Sequence, residues 1–255
     1  MRGCFDLVEL VVGRTGDVGQ VSLVRLQGKK LVEIGCYKNT PQGDRKSGIS
    51  VICAAWQPRS FFTGGYDHSI SLWSSADGEA PAPTLLAIKH SSAVHALLPT
   101  QDGGHKLLSG SADCSVSVFD IPSGRVTNAL KLSNTIYQLH ATESPFCTLL
   151  EIGHREFQFE VRDHRLAPVQ PVLRFGYPSV KVHGRFTRGA VQGHRFACGG
   201  SEKDGTVRVW DLRNTSEIQR AIPCFPGRKA TQAEFDRERL LVCSDDNQLA
   251  FWQTV

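Results

Sequence analysis

Apolar residues recur along this chain mostly in short runs with a period of two. Val116-Ser117-Val118-Phe119, Thr206-Val207-Arg208-Val209-Trp210 and Ile70-Ser71-Leu72-Trp73 send alternate side chains to opposite faces, as half-buried strands do. Clusters of Gly, Asp, Ser and Pro separate the runs, and no segment sustains a helical period. The pattern predicts an all-β fold of short strands.

The runs also align with one another. Phe61-Phe62-Thr63-Gly64-Gly65-Tyr66-Asp67-His68-Ser69-Ile70-Ser71-Leu72-Trp73 lies without a gap over Leu107-Leu108-Ser109-Gly110-Ser111-Ala112-Asp113-Cys114-Ser115-Val116-Ser117-Val118-Phe119. Two further copies run from Ala197 to Trp210, with a longer turn, and from Leu240 to Trp252. In each, an Asp (Asp67, Asp113, Asp204, Asp246) stands six residues before a closing aromatic (Trp73, Phe119, Trp210, Trp252). An Asp in a tight turn accepts backbone N–H bonds, and an aromatic at that distance packs between adjacent sheets. Two weaker copies complete the series: 156–162 lacks both the Asp and the aromatic, and 17–24 keeps only the strand pattern. The closing positions 24, 73, 119, 162, 210 and 252 are separated by 49, 46, 43, 48 and 42 residues. A period in the forties built from strands marks a propeller blade.

The residues that close the copies carry a family resemblance. Trp210-Asp211, within Asp204-Gly205-Thr206-Val207-Arg208-Val209-Trp210-Asp211-Leu212-Arg213, resembles the closing signature of a WD repeat, and Phe119-Asp120 and Trp73-Ser74 are degenerate versions. Upstream of Phe119, His90-Ser91-Ser92-Ala93-Val94 is similar to the segment that the family opens with Gly-His, with Lys89 in place of the Gly. Asp102-Gly103 stands where that blade's turn usually lies.

The resemblance covers about residues 5 to 255 and implies a WD-repeat β-propeller with about six recognisable blades, the first and last incomplete. Each blade is then a four-stranded antiparallel sheet beside a central channel. For the blade closing at Phe119 the expected strands are 93–99, 106–111, 115–120 and 125–132. The family's polar network of His, Ser or Thr, Asp and Trp has His90, Ser109 and Asp113 as candidates, but Phe119 cannot donate as an indole does, so this network is expected to be incomplete. The first blade is expected to begin at its second strand, 5–12, and the last to end with its third. In this family an N-terminal strand closes the ring. The reading is therefore one domain over 1–255, either an incompletely closed six-blade ring or the C-terminal part of a longer, seven-blade one.

Composition narrows the functions. With 24 Gly, 8 Cys and 40% hydrophobic residues in 255, collagen-like, disulfide-scaffold and disordered readings fail. The net charge, 29 − 25 = +4, is scattered, so nucleic acid is not an expected partner; salt-dependent retention on DNA tests this. The cysteines show no short paired spacing, and Cys53 and Cys243 lie in apolar runs as small hydrophobes; reduced thiols fit a cytoplasmic or nuclear protein. No charge-free stretch approaches the ~20 residues a bilayer-spanning helix needs, so no membrane partner is expected.

Nucleophile elbows, zinc-protease and phosphate-loop motifs are missing, and the nine histidines show no metal-ligand spacing, although spacing does not test sites assembled at long range. No catalytic residue, cofactor or metal is expected. The function read from the sequence is a non-catalytic scaffold that binds other proteins or peptides. Two segments are candidates for binding. Residues 184–195 look like an extended loop in which Arg185 and Arg188 either dock an acidic partner or phosphates or are simply solvated. Asp163-His164-Arg165 and Asp211-Leu212-Arg213 follow the third strands of successive blades. They resemble the paired Asp-x-Arg boxes by which some WD-repeat substrate receptors dock on the adaptor of cullin-4 ubiquitin ligases. There the Arg touches the adaptor; Trp is absent from the first box.

Overall fold

The computed structural model describes residues 9–14, 20–27, 30–38, 48–57, 60–74, 81–100, 105–165 and 171–253. They form strands and turns and no helix, in six sheets whose strands follow chain order. The first sheet has β1 (Glu9–Arg14), β2 (Gln20–Gln27) and β3 (Lys30–Lys38); the second has β4 (Ile49–Ala54), β5 (Phe61–Gly65), β6 (Ile70–Ser74) and β7 (Ala82–Leu85). The third consists of β8 (Val94–Pro99), β9 (Lys106–Ser111), β10 (Ser115–Asp120) and β11 (Arg125–Lys131), within a residue of the strands expected from sequence. The fourth contains β12 (Ile136–Ala141), β13 (Cys147–Ile152), β14 (Phe159–Asp163) and β15 (Leu173–Phe175). The fifth contains β16 (Ala190–Gln192), β17 (Arg195–Cys198), β18 (Thr206–Asp211) and β19 (Arg220–Pro223), and the sixth β20 (Ala230–Asp236), β21 (Arg239–Ser244) and β22 (Leu249–Gln253). The incomplete blades expected at either end are the three-stranded sheets, among the described residues.

Two sequence-based boundaries shift. The first strand is Glu9–Arg14 rather than 5–12, of which 5–8 lie outside the described residues. The stretch 184–195 is not one long loop: β16 and the first residue of β17 fall within it, because Ala190, Val191 and Gln192 pair with Ala197, Phe196 and Arg195. Only 184–189 remain as connection.

The chain divides into two compact units, one of Met1–Pro99, Gly104–Asp113 and Ser117–Ala129, the other of Leu130–Val255 with Thr100–Gly103 and Cys114–Val116. In the first, strand alternation supplies two cores from one strand. Phe61 on β5 joins Val21, Ile49 and Trp73 toward the first sheet, while its neighbour Phe62 joins Ile70, Val94, Leu107 and Phe119 toward the third. In the second unit β17 divides likewise: Phe196 and Cys198 pack with Phe159, Phe175 and Trp210, and Ala197 with Val207, Ala230 and Leu240. Each fully buried aromatic or aliphatic side chain contributes about 1.5–3 kcal/mol, so the period-two pattern holds the strand register.

The turns repeat as well. His68, Cys114, Gly205 and Asn247, each directly after the repeat's Asp, all adopt left-handed backbone, with φ of 71°, 65°, 62° and 65°. Gly205 is additionally required by space, since a Cβ there would lie 1.8 Å from the Phe225 carbonyl oxygen.

Candidate protein interaction site

The repeat's aspartates hold their turns. Asp67 Oδ1 accepts from the Ser69 amide (3.0 Å) and hydroxyl (2.7 Å), and Asp204 Oδ1 from the Thr206 amide (3.2 Å). Asp246 accepts from Ser244 Oγ and pairs with Arg228 at 3.3 Å. Asp113 instead reaches back across its sheet, accepting from the Ser91 amide (2.8 Å) and lying 3.2 Å from His90 Nδ1, while His90 Nε2 is 2.8 Å from Ser109 Oγ. His90, Ser109 and Asp113 are thus linked, with Phe119 buried beside them in the core. The second sheet carries a different part of such a network: Trp73 Nε1 donates to Thr63 Oγ1 at 2.9 Å, and the indole stacks on Phe61. Trp210 is buried like Trp73, whereas Trp252 is only partly covered.

The two Asp-x-Arg boxes have one geometry. Asp163 and Asp211 end β14 and β18, opposite Cys147 and Arg195 at the starts of β13 and β17. The middle residue ties the box to the preceding turn: His164 N donates to Phe146 O (2.9 Å) and Leu212 N to His194 O (2.7 Å). Each Arg then curls back on its own Asp. Arg165 Nε and Nη2 donate to Asp163 at 3.0 and 2.7 Å, and Arg213 Nε and Nη2 to Asp211 at 2.9 and 2.6 Å. These side-chain bonds, with the backbone amide of the same Arg, hold both carboxyls down at about 2. The arginine side chains nevertheless stay 60% and 68% exposed. The turn between β12 and β13 comes close to both boxes: Phe146 lies under the Arg165 guanidinium at 4.1 Å, and Glu143 comes against Gly193, while the Arg213 pKa is raised chiefly by its hydrogen bond to Asp211 and least by the charge of Glu143.

Arg185 and Arg188 stand apart from the boxes, before β16, at the end of the fifth sheet opposite Asp211. Arg185 covers the exposed Phe186 ring at 4.6 Å. The Arg188 backbone bridges to β20 through its amide to Thr231 O (2.8 Å) and its carbonyl from Ala233 N (2.9 Å).

Residues 84–120, which hold β8, β9 and β10 of the third sheet with the linked His90 and Asp113, match the family model "WD domain, G-beta repeat". That segment is a WD repeat. The crystal structure of the computationally designed Ika8 protein superposes on the chain with a TM-score of 0.66, covering 99% of this chain and 70% of that one at 17% identity. At that identity the likeness concerns the β-propeller-type fold alone. No curated protein matches the sequence significantly. A WD repeat of this kind belongs to protein-interaction scaffolds.

One constellation was missed by sequence spacing. Glu151 of β13 is fully buried with both oxygens occupied. Oε1 lies 2.6 Å from His140 Nε2 and accepts from the Gly189 amide at 2.7 Å; Oε2 lies 2.7 Å from His183 Nε2 and accepts from Cys198 Sγ at 3.6 Å. Burial opposes its ionisation, but the bonds from His140 and His183 outweigh that and hold the carboxyl well below the ordinary range. Burial, with the neighbouring Glu151, pushes the Cys198 thiol well up. His183 Nδ1 has no partner among the described residues, and an unpaired lone pair is less costly than an unpaired N–H, so the ring proton belongs on Nε2. The readable signal is Glu151 itself, a charge inside Leu149-Leu150-Glu151-Ile152.

Proposed function

We propose that this chain is a non-catalytic scaffold whose docking edge is the paired boxes Asp163–Arg165 and Asp211–Arg213. The observation that carries this reading is the exposure of two arginines whose conformations are already held by their own aspartates. Ordering a free arginine on binding costs rotamer entropy, and here much of it is already spent. Two of the five guanidinium N–H donors face the Asp, which leaves donors for a partner's carbonyl or carboxylate oxygens. Phe146, 40% exposed beneath Arg165, adds an apolar surface of the kind that anchors interfaces. The partner is a protein or peptide.

The alternative, which rests on the resemblance of the two Asp-x-Arg boxes, is that the partner is the adaptor of cullin-4 ubiquitin ligases. Affinity purification with mass spectrometry tests both levels. Arg165→Ala with Arg213→Ala should lose the partner, while Arg185→Glu with Arg188→Glu should keep it. Recovery of every partner by the first double variant would end the docking proposal. Loss of a partner other than the adaptor would retain the edge and discard the ligase assignment.

A further inference from the structure

We infer that Glu151, His183 and Cys198 form a buried zinc site. One donor atom from each of Glu151, His183 and Cys198 lies within 4.8 Å of the other two, and all three residues are buried. Imidazole, thiolate and carboxylate are the ligand types zinc takes, at about 2.0–2.3 Å, so donors around a tetrahedral ion stand about 3.2–3.7 Å apart. The Glu151–Cys198 separation of 3.6 Å already has that value, and the Glu151–His183 separation of 2.7 Å must open by about half an ångström.

The carboxylate is divided as a ligand should be. Its Oε1 is engaged by His140 Nε2 and the Gly189 amide, which fix its orientation from outside; its Oε2 faces the other two donors. Outer partners of this kind orient metal-bound carboxylates. The site joins three separate segments, since Glu151 sits on β13, His183 precedes β16 and Cys198 ends β17.

Zinc with the Glu151 carboxylate and the Cys198 thiolate sums to zero. The thiol proton leaves to solvent, and the Nε2 proton of His183 is given up while Nδ1, the unpartnered ring nitrogen, takes one. Nothing is oxidised or reduced. The fourth zinc position falls to water.

The test uses the full chain, stripped with a chelator and reloaded with Zn²⁺ or Co²⁺. Metal analysis should find about one ion per chain, and the cobalt form should show thiolate-to-metal charge transfer in the near ultraviolet. Cys198→Ala, a small apolar exchange at a buried position, should abolish the charge-transfer band and His183→Asn should reduce loading at least about tenfold, both with wild-type circular dichroism. A stripped wild-type chain that takes up no metal, or one whose loading and spectrum are unchanged in folded Cys198→Ala, would overturn the site. If Cys198→Ala does not fold, the cobalt spectrum of wild type still decides: no sulfur charge transfer means no site.

Discussion

His183 Nε2 and Glu151 Oε2 lie 2.7 Å apart with neither side chain exposed, although 32 residues separate them in the chain. The pair fastens the segment leading into β16 to the C-terminal end of β13. Removing the carboxylate leaves the buried imidazole N–H without its acceptor.

Glu151→Gln should therefore destabilise the metal-free chain by about 1–3 kcal/mol, read from the urea midpoint in the presence of chelator. A loss under about 1 kcal/mol would show that the centre adds little to stability.

The same residue sets an acid limit. Its folded pKa lies below its ordinary 4.5, so the stabilisation is complete above pH 4.5 and is lost as the pH falls below it. Midpoints measured from pH 6 down to 3 should fall more steeply in wild type than in Glu151→Gln; parallel curves would contradict this.

His90 acts in a higher window. Burial lowers its pKa below 6.5 despite the opposing Asp113, so the unfolded chain binds the proton more readily. Stability is complete above about pH 6.5 and declines as the pH drops below it. Replacing His90 with Gln should flatten the stability curve between pH 6.5 and 5.

Turn geometry offers a paired comparison. Arg237, exposed and at φ 53°, stands between β20 and β21. Arg237→Gly should stabilise the fold by about 1 kcal/mol through relief of the left-handed penalty. Gly205→Ala should cost on the order of 2–4 kcal/mol, because its Cβ would strike the Phe225 carbonyl.

Trp73 separates stacking from hydrogen bonding. Trp73→Phe keeps an aromatic ring against Phe61 but leaves the Thr63 hydroxyl without its indole donor. A loss of about 1–3 kcal/mol is expected, partly recovered by adding Thr63→Val. Strict additivity of the two changes would mean the bond contributes nothing.

The sequence alone determined the strands, their repeat and the turns, because these are local: side chains alternate every two residues, and an Asp with a left-handed residue after it closes a tight turn wherever it occurs. Phe61 and Phe62 announce two faces without saying what covers either. The paired boxes were readable for the same reason, each lying within three residues. Their common geometry was not, since it depends on the Phe146 and His194 carbonyls of other turns. The Glu151 centre came only with tertiary structure. Its members sit at 140, 151, 183, 189 and 198 and have no shared spacing. A lone Glu in an apolar strand signals that a partner is needed. Only packing brings two imidazoles, an amide and a thiol to its two oxygens.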